Sequence, residues 1–173
     1  MSEVYLGNPN LKKANTAIEF TQEQILEFVK CKEDPVYFAN NYIKIVSLDE
    51  GLTQFHPYHF QEKLINNFHE NRFNICKMPR QTGKSTTVVS YLLHYAVFND
   101  SVNIGILANK AATARELLSR LQTAYENLPK WMQQGIISWN KGSLELENGS
   151  KILAASTSAS AVRGMSFNIL FLD

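Results

Sequence analysis

Helical spacing of apolar residues divides much of the chain into amphipathic helices. A short helix is predicted after Thr21, and the Asp34-Pro35 pair indicates a turn or a second helix start. A third helix follows His56-Pro57 and runs through Phe68. The two longest helices are predicted at residues 84–98 and 110–127, the second ending before Pro129.

Short apolar or β-rich runs between these helices predict strands. They lie at residues 43–46, 73–78, 102–108, 136–139, 143–147, 151–155 and 169–172. Asn148-Gly149 is typical of a hairpin turn. Because strands alternate with helices and several runs are wholly apolar, the pattern predicts an α/β fold. Its sheet should be mostly parallel, with helices on both faces. Residues 1–20 are polar and predict a loose N-terminal arm, which leaves residues 21–173 as the folded part.

Composition narrows the class of protein. The 173 residues are 45% hydrophobic and 19% charged, which suits one globular domain or most of one. Lys plus Arg is 17 and Asp plus Glu is 16, so the net charge of +1 lacks the strong basic excess of a dedicated nucleic-acid binder. The N-terminus has no apolar leader and no run of about 18 apolar residues occurs, so we expect neither secretion nor a membrane span.

The stretch ICKMPRQTGKST, residues 75–86, carries the most specific chemistry. It predicts a strand, a tight turn containing Gly83, Lys84 and Ser85, and then a helix, which is the arrangement of a phosphate-binding loop. The lysine can reach the β- and γ-phosphates of a nucleotide, and the serine hydroxyl can ligate Mg²⁺. Met78 stands where the common pattern has its first glycine, so a simple strand-to-helix turn is the alternative at this point.

A second candidate element is the run Ile-Leu-Phe-Leu-Asp at residues 169–173. A carboxylate at the carboxyl end of a parallel strand lies at the edge where such sheets bind ligands, and Asp173 can hold Mg²⁺ there. Four apolar residues before an Asp are weak evidence alone, and stronger evidence beside the glycine-lysine-serine turn.

These segments resemble the N-terminal ATPase region of the large terminase subunit of tailed bacteriophages, of the T-even-like myovirus type. Residues 80–85 have the family's RQxGK[ST] form, and the blocks VNIGILANK, WNKGSLELENGSKI and AVRGMSFNILFLD are also similar to it. The resemblance implies a P-loop NTPase of the additional-strand, catalytic-glutamate class. It also implies that a later strand lies between the loop strand and the strand of Asp173, so that the sheet is incomplete in this chain.

The resemblance also assigns residues. Arg80 and Lys84 would be catalytic, and Ser85 and Asp173 would hold Mg²⁺. Gln61 would read adenine, beside Tyr58 and His59 as candidates for the base pocket. The ATP-binding set would be Gln61, Arg80, Gln81, Thr82, Gly83, Lys84, Ser85 and Thr86. Arg163-Gly164, in the small-residue loop before the last strand, could contact phosphate, DNA or another subunit.

The function implied is an ATPase that powers translocation of viral DNA into the procapsid, in the host cytoplasm. Its partners would be double-stranded viral DNA, the portal protein, the small terminase subunit and further copies of itself in a motor ring. The family's catalytic Glu follows the strand-end Asp, and the nuclease domain follows later. Neither is in this chain, so we expect little ATP turnover from it. The alternatives are a catalytically dead nucleotide-binding fragment and another helicase-like, DNA-stimulated ATPase.

Overall fold

The computed structural model describes residues 3–47, 49–158, 162 and 164–173. After a short 3₁₀ turn at Tyr5–Gly7, the helices are α1 Gln22–Glu33, α2 Pro35–Tyr42, α3 His59–Glu70, α4 Lys84–Phe98 and α5 Ala111–Glu126. The strands are β1 Lys44–Ser47, β2 Gly51–Gln54, β3 Asn103–Ala108, β4 Ile136–Trp139, β5 Ser143–Leu146, β6 Lys151–Ser156 and β7 Ile169–Leu172. None of the helices in these ranges combines the length and the hydrophobicity needed to cross a membrane.

The first two helices begin where the sequence predicts. Thr21 caps α1 in a capping box with Gln24, each side chain bonding the backbone N–H of the other residue. The carboxylate of Asp34 accepts from the first free N–H groups of α2, and Pro35 occupies the first helical turn. These caps fix the start of each helix from local sequence alone.

The main sheet has five strands in the order β4-β5-β6-β3-β7. The central strand β3 is parallel to both β6 and β7, whereas β5 is antiparallel to β4 and to β6. The prediction of a mostly parallel sheet is therefore wrong for one half of it. The physical reason is the hairpin at Asn148-Gly149, which returns β6 directly beside β5 and leaves no room for a helical crossover. β1 and β2 form a separate two-stranded hairpin.

The helices cover the sheet unequally. Helix α5 packs on β3 and β6, and α4 packs on α5, α3 and α2. Strand β7 turns Ile169 and Phe171 toward the core, but Leu170 and Leu172, on its other face, are 50% and 63% exposed. The expectation of helices on both faces is thus wrong at β7, within the residues that the structure describes.

The strand predicted at residues 73–78 is also wrong. This segment has neither helix nor strand, and the side chain of Ile75 is fully exposed. A strand is completed by backbone hydrogen bonds to a neighbour, and β7 is paired with β3, not with this segment. An apolar run has the side chains typical of a strand, but it forms one only where a neighbouring strand can pair with its backbone.

The N-terminal segment is not loose over residues 3–15. Leu11 is buried in the core, and the backbone of Lys13 forms a bridge to Ile136 in β4. The carboxylate of Glu147 accepts from the ammonium of Lys12 at 2.9 Å and from the N–H groups of Asn15 and Gly135. Burial alone would raise the pKa of Glu147, but these bonds outweigh it and lower the pKa. The segment is thus attached to the fold by Leu11 and by the contacts of Glu147.

A buried histidine lies where α4 meets α1 and α2. His94 is 2% exposed and packs against the rings of Phe38 and Phe98. Its Nε2 lies 2.8 Å from the carbonyl oxygen of Cys31, so this nitrogen carries the ring hydrogen. Burial lowers the pKa of His94 to about 4, against a smaller opposing effect of the bond to Cys31.

We predict that acid destabilises the protein through His94 before it protonates most carboxylates. The unfolded histidine takes up a proton near the ordinary histidine pKa of 6.5 and the folded one only near 4, so the free energy of unfolding falls as the pH drops through that window. The full effect is about 3 kcal/mol, since one pKa unit corresponds to about 1.4 kcal/mol. Urea unfolding between about pH 5 and pH 7 should show roughly 2 kcal/mol of this effect, since the rest falls below pH 5. His94→Gln, which retains a donor for Cys31, should flatten the dependence, whereas replacement of the exposed His59 should not. An unchanged slope in His94→Gln would contradict the prediction.

Candidate functional site: a glycine-lysine-serine turn beside the last strand

The turn at residues 79–85, called here the GKS turn, joins the irregular segment 71–78 to helix α4. Gln81 has φ of 60° and Gly83 has φ of 75°, so the backbone is left-handed twice within three residues. Glycine takes this conformation at no steric cost, whereas Gln81 is held in it by the turn. Turns of this kind present backbone N–H groups on a concave side, where an anion can bind.

Helix α4 begins inside this turn. Gly83 is its N-cap and offers no side chain to the first N–H groups, which have no acceptor within the helix. The positive end of the helix dipole adds to the same electrostatic preference for an anion. Lys84 is the first helical residue and Ser85 the second, and both side chains are half-buried. Backbone donors, an ammonium group and a hydroxyl therefore lie within one turn of chain.

Three hydrogen bonds from side chains to carbonyl groups hold the GKS turn. The hydroxyl of Thr82 donates to the carbonyl of Pro79 at 3.0 Å, and the hydroxyl of Thr87 donates to that of Gly83 at 3.0 Å. The third donor comes from helix α3, because the amide nitrogen of Gln61 donates to the carbonyl of Thr82 at 3.3 Å. The turn is thus fixed by its own Thr82 and by helices α3 and α4.

The structure brings two of the predicted site residues to one cavity. Asp173 follows β7, and its N–H donates to the carbonyl of Leu107 in β3 at 2.9 Å, which fixes the residue at the carboxyl edge of the sheet. Lys84 and Asp173 both line a cavity of about 470 Å³. Its polar lining also includes Asn71, Arg72 and Asn74 from the segment after α3. A lysine and an aspartate thus border the same space, as a site for phosphate and a cation requires.

None of the remaining predicted ligands that the structure describes, Ser85 included, lines this cavity. Arg80 and Gln81 lie at the exposed tip of the GKS turn. Thr86 is half-buried in the first turn of α4 and lines a different cavity of about 480 Å³, next to β1 and α5. Arg163 falls outside the residues that the structure describes. Assignment of the whole set as ATP ligands stays a prediction.

Gln61 has a more specific environment than the sequence indicated. It is 3% exposed, its amide oxygen accepts from the N–H of Tyr58 at 2.9 Å, and its amide nitrogen donates to Thr82. The ring of Tyr58 is 71% exposed and stacks on Phe60 at 5.9 Å between centroids. The aromatic surface beside the turn is therefore open, whereas the amide that would read adenine is already engaged on both sides.

Sequence reasoning missed the contact from Gln61 to the turn and the lining by residues 71–74. The signal for the first was the spacing Tyr58-x-x-Gln61, because Gln at the third position of a helix folds back to cap it. That spacing fixes the amide oxygen but not what the amide nitrogen reaches. No local signal in the sequence marks residues 71–74 as cavity lining, since this segment has no regular structure.

Two other carboxylates form ion pairs away from this cavity. Glu145 pairs with Lys151 at 3.0 Å on the hairpin, and Glu147 holds the N-terminal segment. No group of three His, Cys, Asp or Glu side chains that could hold a metal ion occurs in the described ranges. A cation at this site would have to combine single protein ligands with oxygens from its own ligand and from water, which is how Mg²⁺ is commonly held.

Comparisons with known proteins identify the family and the fold. The N-terminal family of T4likevirus-type terminase large subunits matches residues 75–173, which is more than half of the chain. The crystal structure of the HK97 bacteriophage large terminase superimposes with a TM-score of 0.66 at 18% sequence identity, over 82% of this chain and 30% of that one. At that identity the superposition establishes the fold, and this chain spans about a third of the length of that relative. From the family match, the chain belongs to the T4likevirus-type large terminase subunits and corresponds to their N-terminal part.

Proposed function

We propose that this chain binds Mg-ATP at the GKS turn and contributes the nucleotide site of an ATP-driven motor that packages phage DNA. The observation that carries the proposal is the shared cavity of Lys84 and Asp173, at the point where the left-handed turn opens into α4. Its class would be that of the P-loop NTPases, in which such a turn holds the phosphates.

Three physical features support phosphate binding. The N–H groups at the start of α4 lack a side-chain cap, so they are available to an anion. Lys84 adds a mobile positive charge at the same helix end. The turn is fixed before any ligand binds, because hydrogen bonds from Thr82 and Gln61 hold its carbonyl groups. A ligand therefore meets donors that are already ordered, which lowers the entropic cost of binding.

The donor set also fits Mg²⁺. The hydroxyl of Ser85 and the carboxylate of Asp173 are hard oxygen donors, and the phosphates and water would complete an octahedral shell. The ion would neutralise phosphate charge and orient the nucleotide relative to Lys84. The exposed guanidinium of Arg80 would stabilise charge on the outer phosphate if it turned inward. The adenine base would lie against the open face of Tyr58.

The same proposal includes the partners of the whole motor. They are double-stranded viral DNA, the portal protein, the small terminase subunit and further copies of the large subunit, acting together in the host cytoplasm. Support for this wider role is membership of the large terminase family, since an assembled motor is the setting in which its subunits act.

Replacement of Lys84 by alanine tests the phosphate site. We predict that Mg-ATP binding weakens by roughly 1.5–3 kcal/mol, or about one to two orders of magnitude in Kd, because a charge-assisted hydrogen bond to phosphate is lost. Isothermal titration calorimetry on residues 1–173 is the measurement. Lys141→Ala is the matched control, since that lysine is exposed on the turn between β4 and β5. Equal affinities for wild type and Lys84→Ala would exclude the GKS turn as the site.

A second candidate, nucleotide binding without turnover by this chain, is favoured by one observation. Among the described residues that line the cavity, Asp173 is the single carboxylate, and the proposal already uses it for Mg²⁺. Hydrolysis also needs a group that orients the attacking water.

We therefore predict that residues 1–173 bind Mg-ATP but release phosphate orders of magnitude more slowly than a version extended beyond Asp173. A phosphate-release assay at saturating nucleotide compares the two. Comparable rates would show that a group within this chain activates the water, and the binding-only candidate would then be wrong.

A further inference from the structure

Gln61 connects the start of helix α3 to the GKS turn. It is buried although its neighbours Tyr58 and Phe60 are exposed, so its side chain points inward while theirs point to solvent. One end of its amide caps the start of α3, with the oxygen accepting from the N–H of Tyr58 at 2.9 Å. The backbone of α3 thereby holds this side chain in one orientation.

The other end of the amide fixes a single peptide group of the turn. Its nitrogen donates to the carbonyl of Thr82 at 3.3 Å, across 21 positions in sequence. In a trans peptide the C=O and the following N–H point in opposite directions. With the Thr82 carbonyl held against Gln61, the N–H of Gly83 is directed away from it, toward the opposite side of the turn.

The close approach of Gln61 also explains the glycine at position 83. A Cβ atom built there would collide with the amide nitrogen of Gln61. The left-handed φ of 75° and the contact with Gln61 therefore both favour glycine, which has no side chain. Gln61 and Gly83 form one packed unit, and the position of one is set by the other.

We propose that Gln61 is a positioning residue for phosphate binding, acting through the Thr82 carbonyl on the orientation of the turn's N–H groups. The inference rests on the proposed function of the GKS turn and differs from the expectation that Gln61 reads adenine. The two roles predict effects on different sets of ligands. A residue that orients the turn affects every polyphosphate equally, whereas a residue that reads the base affects only nucleotides carrying adenine.

Two variants remove the donor at the Thr82 end of the amide. Gln61→Glu retains an oxygen that accepts from the N–H of Tyr58, but it sets a carboxylate against the Thr82 carbonyl. Gln61→Met has similar length and no charge. It loses the acceptor for Tyr58 together with the donor, but it adds no negative charge near the phosphates. The matched control is Gln54→Met, because the amide of Gln54 likewise donates to backbone carbonyls, those of Asn40 and Ile43, in another part of the fold.

The probes are Mg-ATP, Mg-GTP and Mg-tripolyphosphate, which has no base, each titrated calorimetrically into residues 1–173. We expect both Gln61 variants to bind all three about tenfold more weakly, by the same factor, with the ratio of ATP to GTP affinity unchanged. Gln54→Met should bind all three as the wild type does, even where thermal unfolding shows a comparable loss of stability.

Four results would overturn the inference. Unchanged tripolyphosphate binding with a lost preference for ATP would make Gln61 a base reader. An equal loss of affinity in Gln54→Met would assign the effect to general destabilisation. If the wild-type protein binds nucleotides but both Gln61 variants match it, the inference fails and the proposed function stands. If the folded wild-type protein binds none of the three probes, the proposed function fails and the inference fails with it.

Discussion

The parallel pairing of β3 with β7 is the interaction on which the candidate site depends. Strand β3 is buried and takes β6 on one side and β7 on the other, in parallel register on both. The last hydrogen bond of this ladder, from the N–H of Asp173 to Leu107, fixes the carboxylate at the carboxyl edge of the sheet. Without it Asp173 would not be held at this edge, and the cavity it shares with Lys84 would lose one wall.

The other wall is held by helices rather than by the sheet. The segment before the GKS turn has no regular structure, so the turn receives no support from a strand on that side. It is instead attached to α4, which it starts, and to α3 through Gln61. The candidate site thus consists of two parts that are stabilised separately. The sheet determines where Asp173 lies, and helices α3 and α4 determine where the N–H groups of the GKS turn lie.

Much of this architecture could be predicted from the sequence, because its signals are local. The caps at Thr21 and Asp34, the start of α4 at Lys84 and the hairpin at Asn148-Gly149 each depend on residues within a few positions. What could not be predicted depends on distant partners. The apolar run 73–78 lacks a neighbouring strand, and Leu11 is buried because of surfaces more than 100 residues away. For the site, residue type and spacing predicted Lys84 and Asp173, which the structure places at one cavity, whereas the contact of Gln61 with the turn depends on a hydrogen bond that spacing does not encode.

The central claim is that a polyphosphate and Mg²⁺ bind between the GKS turn and the end of β7. An NMR titration of ¹⁵N-labelled residues 1–173 with Mg-ATP tests it most directly, because backbone amides report both walls of the cavity at once. The account predicts that the amide signals of Gly83, Lys84 and Ser85 shift together with that of Asp173, and that omission of Mg²⁺ reduces the shift at Asp173. Shifts confined to the second cavity beside β1 and α5, or no saturable shifts in the folded protein, would contradict it.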